Sequence, residues 1–199
     1  MKKFVLLSTI FLSVLILSCN SEKKSEAEQT PGIQQKGNVP GGEVLYTVPQ
    51  GWISEQPTGS MRRAQFRLPG VKGQDDGVLA VFFFPGTGGS VQSNLSRWYN
   101  QFTQPDGKPT QEIAKVEKKT VHGLSVTITF ATGTFQKSAS SMMMGGPKVE
   151  LPNYALLAAI VETNNGPWFF KATGPEKTLL HWKRSFYEFV DSFHVNNSV

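Results

Sequence analysis

The sequence predicts an α+β domain in which helices flank a largely antiparallel sheet. Two turn signals, His122-Gly123 and residues 164–167, separate neighbouring apolar segments, as short turns do between antiparallel strands. Two other segments, one in the middle and one near the end of the chain, space their apolar residues as amphipathic helices do. Strands that surround one helix and precede another favour a sandwich of helices and sheet.

The first half of the predicted domain contains three strands and one helix. Residues 44–48 indicate a short strand, and Arg62–Leu68 alternates apolar and polar residues as a strand with one solvated face does. The apolar run at residues 78–84 is typical of a central strand that is buried on both faces. Ser90 is a good N-cap for a helix over residues 90–102, because apolar residues recur behind it at helical spacing.

The second half is predicted to contain two hairpins and a terminal helix. The predicted strands are residues 113–120, 124–132, 154–163 and 168–173. After Pro175, apolar residues including Leu179, Phe186 and Phe189 share one broad helical face, and charged residues lie off it. This periodicity predicts a helix that packs on the sheet.

Residues 1–18 have the features of a lipoprotein signal peptide. Lys2 and Lys3 precede a mostly apolar run, residues 4–17, that is shorter than the roughly 18 to 20 residues of a permanent membrane-spanning helix. The segment LILSC at residues 15–19 resembles a lipobox, whose cysteine receives diacylglycerol and becomes the first residue of the mature chain. Cys19 is also the only cysteine, so no disulfide can form within one chain.

These features predict a protein of the bacterial cell envelope that lipid on Cys19 anchors to a membrane, the outer in preference to the inner. Acyl chains contribute about 0.8 kcal/mol per buried methylene, so two or three chains would hold the protein stably. Residues 19–42 are rich in polar residues, Gly and Pro, and predict a flexible tether before a single domain over residues 43–199.

The charge of the chain makes nucleic acid a poor candidate partner. Loss of Lys2 and Lys3 with the signal peptide lowers the formal net charge from +5 to +3. The sequence also lacks a stripe of basic residues interleaved with aromatic ones, which a nucleic-acid surface would need.

Two short motifs mark the ends of the domain. The opening YTVPQGW at residues 46–52 and the closing FYEFVDSF at residues 186–193, with the hairpins between them, resemble the PsbP-like family of photosystem II extrinsic proteins and their bacterial relatives. The resemblance implies a PsbP-like α/β/α sandwich. The layout of the chain is also similar to that of uncharacterised bacterial lipoproteins. Both motifs consist of packing residues, so the resemblance implies no catalytic residue in this chain.

A glycine-rich loop lies between a predicted buried strand and a predicted helix. It contains Gly86, Gly88, Gly89 and Ser90, and free amides at such a helix N-terminus can bind an anion. The lysine of a P-loop is absent, and glycines after a buried strand commonly form a tight connection. We favour the structural turn and keep an anion site as the alternative.

Residues 133–152 are predicted to be the longest irregular loop, and Met142, Met143 and Met144 lie within it. Thioether sulfurs could bind Cu(I) or offer a flexible apolar contact surface. The small residues around them favour a loop tip or a local plug with neither role. Contact with a protein partner is the functional hypothesis that we retain ahead of metal binding, because no His or Cys lies nearby in the sequence.

Other polar residues give no signal for a cofactor, a metal or catalysis. His122, His181 and His194 lack the spacing of metal ligands, and no serine lies in a strained elbow with a histidine and a carboxylate. We therefore expect a protein that is not an enzyme.

Two functions from different classes remain. The favoured one is a non-enzymatic protein-binding or assembly module, and the alternative is a carrier of a hydrophobic small molecule or lipid. The aromatic residues could line a carrier's pocket, but their spacing is that of a core. These residues are Trp98, Trp168, Phe169, Phe170, Trp182, Phe186 and Phe189.

Overall fold

The computed structural model describes residues 43–86, 88–138 and 147–195. The predicted signal peptide and tether, Cys19 and Met142, Met143 and Met144 lie outside these residues. The described strands are β1 (Val44–Leu45), β2 (Ile53–Glu55), β3 (Arg62–Leu68), β4 (Gly77–Phe83), β5 (Phe102–Thr103), β6 (Lys115–Val121), β7 (Leu124–Ser138), β8 (Lys148–Glu162), β9 (Trp168–Pro175) and β10 (His194–Val195). The described helices are α1 (Val91–Tyr99), α2 (Thr110–Ile113) and α3 (Glu176–Asp191).

Eight of the strands form one antiparallel sheet. Its order is β2-β3-β4-β9-β8-β7, and both β5 and β6 pair with β7 along different parts of its length. The short strands β1 and β10 pair with each other and connect the start of the domain to its end. The predicted α+β class with a largely antiparallel sheet is confirmed.

Helix α3 covers one face of the sheet with the larger part of the core. Its Phe186 and Phe189 are at most 1% exposed, and the ring of Phe189 lies 5.0 Å from Tyr46 and 5.5 Å from Phe170 between centroids. The apolar residues of β3, β4 and β9 that face this helix are also buried. Burial of each large apolar side chain contributes about 1.5 to 3 kcal/mol, so this face dominates the stability of the domain.

Helix α1 covers part of the opposite face and completes the three-layer sandwich. Leu95, Trp98 and Tyr99 pack against Ile160 and Phe169 of the central strands in a second apolar cluster. The Tyr99 hydroxyl lies 2.6 Å from the Thr129 hydroxyl on β7, which satisfies both buried polar groups.

Several predicted boundaries differ from the structure. Helix α1 ends at Tyr99 rather than residue 102, since Phe102 pairs with Phe135 at the edge of the sheet. The strand predicted from residue 113 begins at Lys115, because Thr110–Ile113 forms the short helix α2. The first strand ends at Leu45 rather than residue 48.

The irregular loop predicted over residues 133–152 is wrong at both of its ends. Strand β7 continues to Ser138 and β8 begins at Lys148, and the pairs from Phe135–Leu151 to Ser138–Lys148 are in register. An irregularity after Gly133 separates these pairs from the rest of the hairpin. We call the paired residues 135–138 and 148–151 the hairpin arm.

Candidate functional site

The hairpin arm extends past the central strand that neighbours β8. Pairing of β8 with β9 ends at Tyr154, so residues 148–151 pair with β7 alone among the described strands. At the base of the arm, the Phe135 ring stacks on Tyr154 at 6.2 Å between centroids. Val149 is 47% exposed farther out. The arm thus leads from an aromatic base to the segment that contains the predicted contact residues Met142, Met143 and Met144.

The glycine-rich loop before α1 interlocks with the turn between β8 and β9. The Gly86 amide donates to the Asn165 carbonyl at 2.9 Å. A Cβ atom on Gly88 would lie 2.1 Å from Cγ of Pro167, which is closer than any tolerated contact. Absence of a side chain at Gly88 is therefore required for these two loops to pack.

The end of the same loop caps helix α1. The Ser90 hydroxyl accepts a hydrogen bond from the Ser93 amide at 3.1 Å, as predicted for an N-cap. Gly89 has φ +77°, a left-handed conformation that favours glycine. Gly86, Gly88, Gly89 and Ser90 thus have roles in the turn and the cap, and the anion site proposed for them stays a prediction.

The aromatic residues considered as a pocket lining are mostly core residues. Trp98, Phe169 and Phe186 are at most 4% exposed, and Trp98 meets Phe169 edge to face at 5.9 Å. Trp168 and Phe170 are similarly buried on the other face. Trp182 is only half-buried, and its indole N–H donates to the Pro69 carbonyl at 2.9 Å.

A site that the sequence did not reveal surrounds Lys171 in the central strand β9. Lys171 faces α1 and lies in register between Ala80 on β4 and Ala158 on β8. Its amine donates to the side-chain oxygen of Gln101, just after α1, and lies 5.8 Å from the centre of the Trp98 ring. The small side chains of these two alanines flank the aliphatic part of Lys171, and the lysine is half-buried.

Two arginines lie near this lysine, and both hydrogen-bond to neutral amide oxygens. Arg62 donates to Oε1 of Gln65, and Arg97 donates to Oδ1 of Asn94 at 2.7 Å. Arg62, Gln65, Arg97, Gln101 and Lys171 constitute what we call the Lys171 cluster. Each of its three cations is therefore held by an amide rather than by a carboxylate in these hydrogen bonds.

The nearest acidic groups on the same side of the sheet are engaged elsewhere. Glu55 and Asp76 both form ion pairs with Arg67, at 2.9 Å and 3.1 Å. The Gly70 amide and Arg67 together lower the pKa of Asp76, which keeps that carboxyl charged. Glu55 also accepts from Nε2 of Gln65 at 3.0 Å. These two carboxylates share Arg67, and Glu55 beside Gln65 offsets part of the positive charge of the Lys171 cluster.

The electrostatic surroundings act directly on Lys171. Burial, followed by the positive charges of Arg97 and Arg62, lowers the pKa of its amine to about 8. A lysine at this pKa is still charged at neutral pH. Its charged form costs free energy because the cation is partly desolvated and lies near other cations. An anion nearby would remove that cost.

Helix α1 leaves part of its side of the sheet uncovered. Below the helix, Leu156, Ala158 and Ile160 of β8 are at most 1% exposed. Toward β3 and β4, side chains on the same face such as Arg62 and Phe82 are only half-buried. The Lys171 cluster lies at the boundary between the covered and the open halves.

Two of the three histidines contact backbone carbonyls. His122 and His194 approach each other at 6.5 Å between ring centroids, but Nδ1 of each lies within 3 Å of a backbone carbonyl, that of Phe193 or Ser192. No group of three His, Cys, Asp or Glu side chains within the described residues could hold a metal ion.

None of the helices that the structure describes combines the length and apolar character needed to cross a membrane.

Comparison with known proteins leaves the family of this chain open. No family model matches it, and no curated protein matches its sequence. Among solved structures, the chain is similar to a Pseudomonas aeruginosa protein of unknown function, with 12% identity and a TM-score of 0.44 over 82% of this chain and 96% of the other. It is also similar to the cyanobacterial PsbP of Synechocystis sp. PCC 6803, with 14% identity and a TM-score of 0.43 over 77% of this chain and 86% of the other. At these values, neither similarity assigns a family or a function.

Proposed function

We propose that the mature chain is a lipid-anchored, non-enzymatic module of the bacterial envelope that binds a protein partner through its hairpin arm. The extension of β8 beyond β9, where residues 148–151 pair with β7 alone among the described strands, supports this proposal most directly. The signal peptide, Cys19 and the tether at residues 19–42 are its sequence support. The tether lets the domain meet a partner at some distance from the membrane.

The arm has two features that suit protein contact. Its β8 strand has an edge with no pairing partner among the described residues, and such edges can pair with a strand of another protein. The connecting segment contains Met142, Met143 and Met144, whose flexible apolar side chains adapt to different partner surfaces. Backbone pairing would supply affinity and the methionines would supply apolar contact.

The hydrophobic-carrier alternative receives less support from the core. The aromatic residues that would line its pocket pack directly on one another, as Phe170 and Phe193 do at 4.4 Å between ring centroids. They therefore serve the fold.

Capture of a partner from detergent-solubilised envelope tests the proposal. We expect the tagged full chain to enrich a specific envelope protein, and expect Met142→Ser, Met143→Ser and Met144→Ser together to reduce that enrichment. Met61→Ser is the matched control, because Met61 is 66% exposed and lies before β3, outside the arm. Equal enrichment by the triple variant would contradict the role of the methionines.

A further inference from the structure

Arg62, Arg97 and Lys171 lie on the α1 side of the sheet, and each donates to a neutral amide oxygen. We propose that the Lys171 cluster binds a phosphate-class oxyanion, with Arg62, Arg97 and Lys171 as its donors. This site is distinct from the hairpin arm and from the glycine-rich loop, and it does not depend on the proposed partner.

The charge balance of the cluster favours an anionic ligand. In the part of the chain that the structure describes, Arg62, Arg97 and Lys171 form no ion pair. The acidic groups Glu55 and Asp76 bind Arg67 instead. Like charges so close together oppose folding, and an anion among them would relieve the repulsion.

The three cations are also held in place before any ligand arrives. Gln65 is 5% exposed and is itself fixed, because its Oε1 accepts from the Thr58 amide at 3.2 Å and its Nε2 donates to Glu55. The Gln101 carbonyl accepts from the Gln136 amide at 2.7 Å, which positions the partner of Lys171. Asn94 Nδ2 donates to the Gly88 carbonyl at 2.8 Å. Donors positioned in advance lose less entropy when they bind a ligand.

The chemistry of the donors favours phosphate over a simple carboxylate. A guanidinium group presents several N–H donors in a planar fork that matches two phosphate oxygens, and an ammonium group adds a compact point charge. Two arginines and one lysine together suit a ligand with three oxygens and a double negative charge.

The phosphate could be free or part of a lipid headgroup. The rings of Trp98 and half-buried Phe82 lie on the same side of the sheet as the amine, so an apolar substituent would find apolar neighbours. Both sources share the phosphate chemistry on which the proposal rests.

Calorimetric titration of the purified full chain distinguishes these sources. The probes are inorganic phosphate and a soluble short-chain phosphatidic acid, with short-chain phosphatidylcholine as the zwitterionic control, all at one ionic strength. We expect saturable binding of at least one phosphate probe and none of phosphatidylcholine. Tighter binding of phosphatidic acid would identify a lipid source, and tighter binding of inorganic phosphate a free one. Absence of saturable binding by both phosphate probes would overturn the proposal.

Variants that each remove one positive charge test where phosphate binds. Lys171→Gln and Arg97→Gln should each weaken phosphate binding by about tenfold or more, whereas Lys177→Gln, at an exposed position of α3, should leave it unchanged. Because Arg97 is exposed, its variant remains informative even if Lys171→Gln fails to fold. In the unmodified protein, bound phosphate should also raise the pKa of Lys171, measured by NMR of its side chain. Equal weakening by Lys177→Gln, or an unchanged pKa at saturation, would contradict the site.

Discussion

Lys171 is a charged residue in a central strand whose neighbouring residues are apolar and buried. Its neighbours Phe170 and Ala172 are fully buried in the core on the α3 side. Lys171 faces the opposite side, where only Gln101 and the Trp98 ring contact its amine among the interactions that the structure describes. The strand therefore holds a cation where an apolar residue would stabilise the fold more, which is typical of residues kept for binding.

The lowered pKa of Lys171 predicts a specific pH dependence of stability. Between about pH 8 and 10.5, the unfolded lysine stays protonated whereas the folded amine loses its proton. The unfolded state then binds more protons, so the contribution of this residue to the free energy of unfolding rises with pH across that window. Denaturant unfolding at several pH values should show this rise in the unmodified protein relative to Lys171→Met. Parallel curves for the two proteins would show that Lys171 titrates normally.

Phe189 should be far more important for folding than the methionines. It is 1% exposed and contacts five other aromatic rings, so Phe189→Ala should lower the free energy of unfolding by about 3 to 5 kcal/mol. Replacement of Met142, Met143 and Met144 by serine should change it by less than about 0.5 kcal/mol for each residue. Urea unfolding of both variants measures the difference. A triple variant as unstable as Phe189→Ala would place the methionines in the core.

At the scale of elements, the strongly periodic segments could be predicted and the solvent-exposed or very short ones could not. The predicted strand Arg62–Leu68 matches β3, and the terminal helix begins at Glu176, directly after Pro175 as predicted. The hairpin arm was missed because its apolar alternation is limited to Val149 and Leu151 on one strand, while residues 136–138 of the other strand are polar. Strands β2, β5 and β10 contain two or three residues, too few for a periodic pattern, and pairing with another strand defines them.

Packing of the glycine-rich loop against the turn between β8 and β9 should depend on Gly88. Gly88→Ala would force a Cβ into Pro167, so we expect a loss of about 1 to 3 kcal/mol in the free energy of unfolding. Gly59→Ala is the control, because a Cβ there meets no atom within 4 Å, and it should change stability by less than about 0.5 kcal/mol. Thermal and urea unfolding compare the two. Equal stability of both variants would mean that the loops do not pack as described.

At the scale of the whole molecule, the sequence was sufficient for the fold class but not for the Lys171 cluster. Hairpins and two amphipathic helices predict the layers because each signal is local. The cluster instead joins Arg62 on β3, Arg97 on α1 and Lys171 on β9, and the sheet register together with the packing of α1 places these distant residues on one side of the sheet. A lysine within the predicted strand at residues 168–173 was the one local signal.

Anchoring is a property of the whole chain, and Cys19 should determine it. Cys19→Ala should release the protein from membranes or leave it as an uncut precursor, because the lipid has no other thiol to modify. Cell fractionation with electrophoresis measures both outcomes. A variant that fractionates and migrates like the unmodified protein would show that Cys19 carries no lipid.

The most direct test of the proposed function is site-specific photo-crosslinking in intact cells. A photoreactive residue at Val149 would lie on the hairpin arm, and one at Val116 on β6 is the matched control, since the two positions are 47% and 50% exposed. If the arm binds an envelope partner, Val149 should give a discrete adduct that disappears with the triple methionine-to-serine variant, and Val116 should give none. Identical adducts from both positions, or no adduct from Val149, would contradict a partner-binding arm.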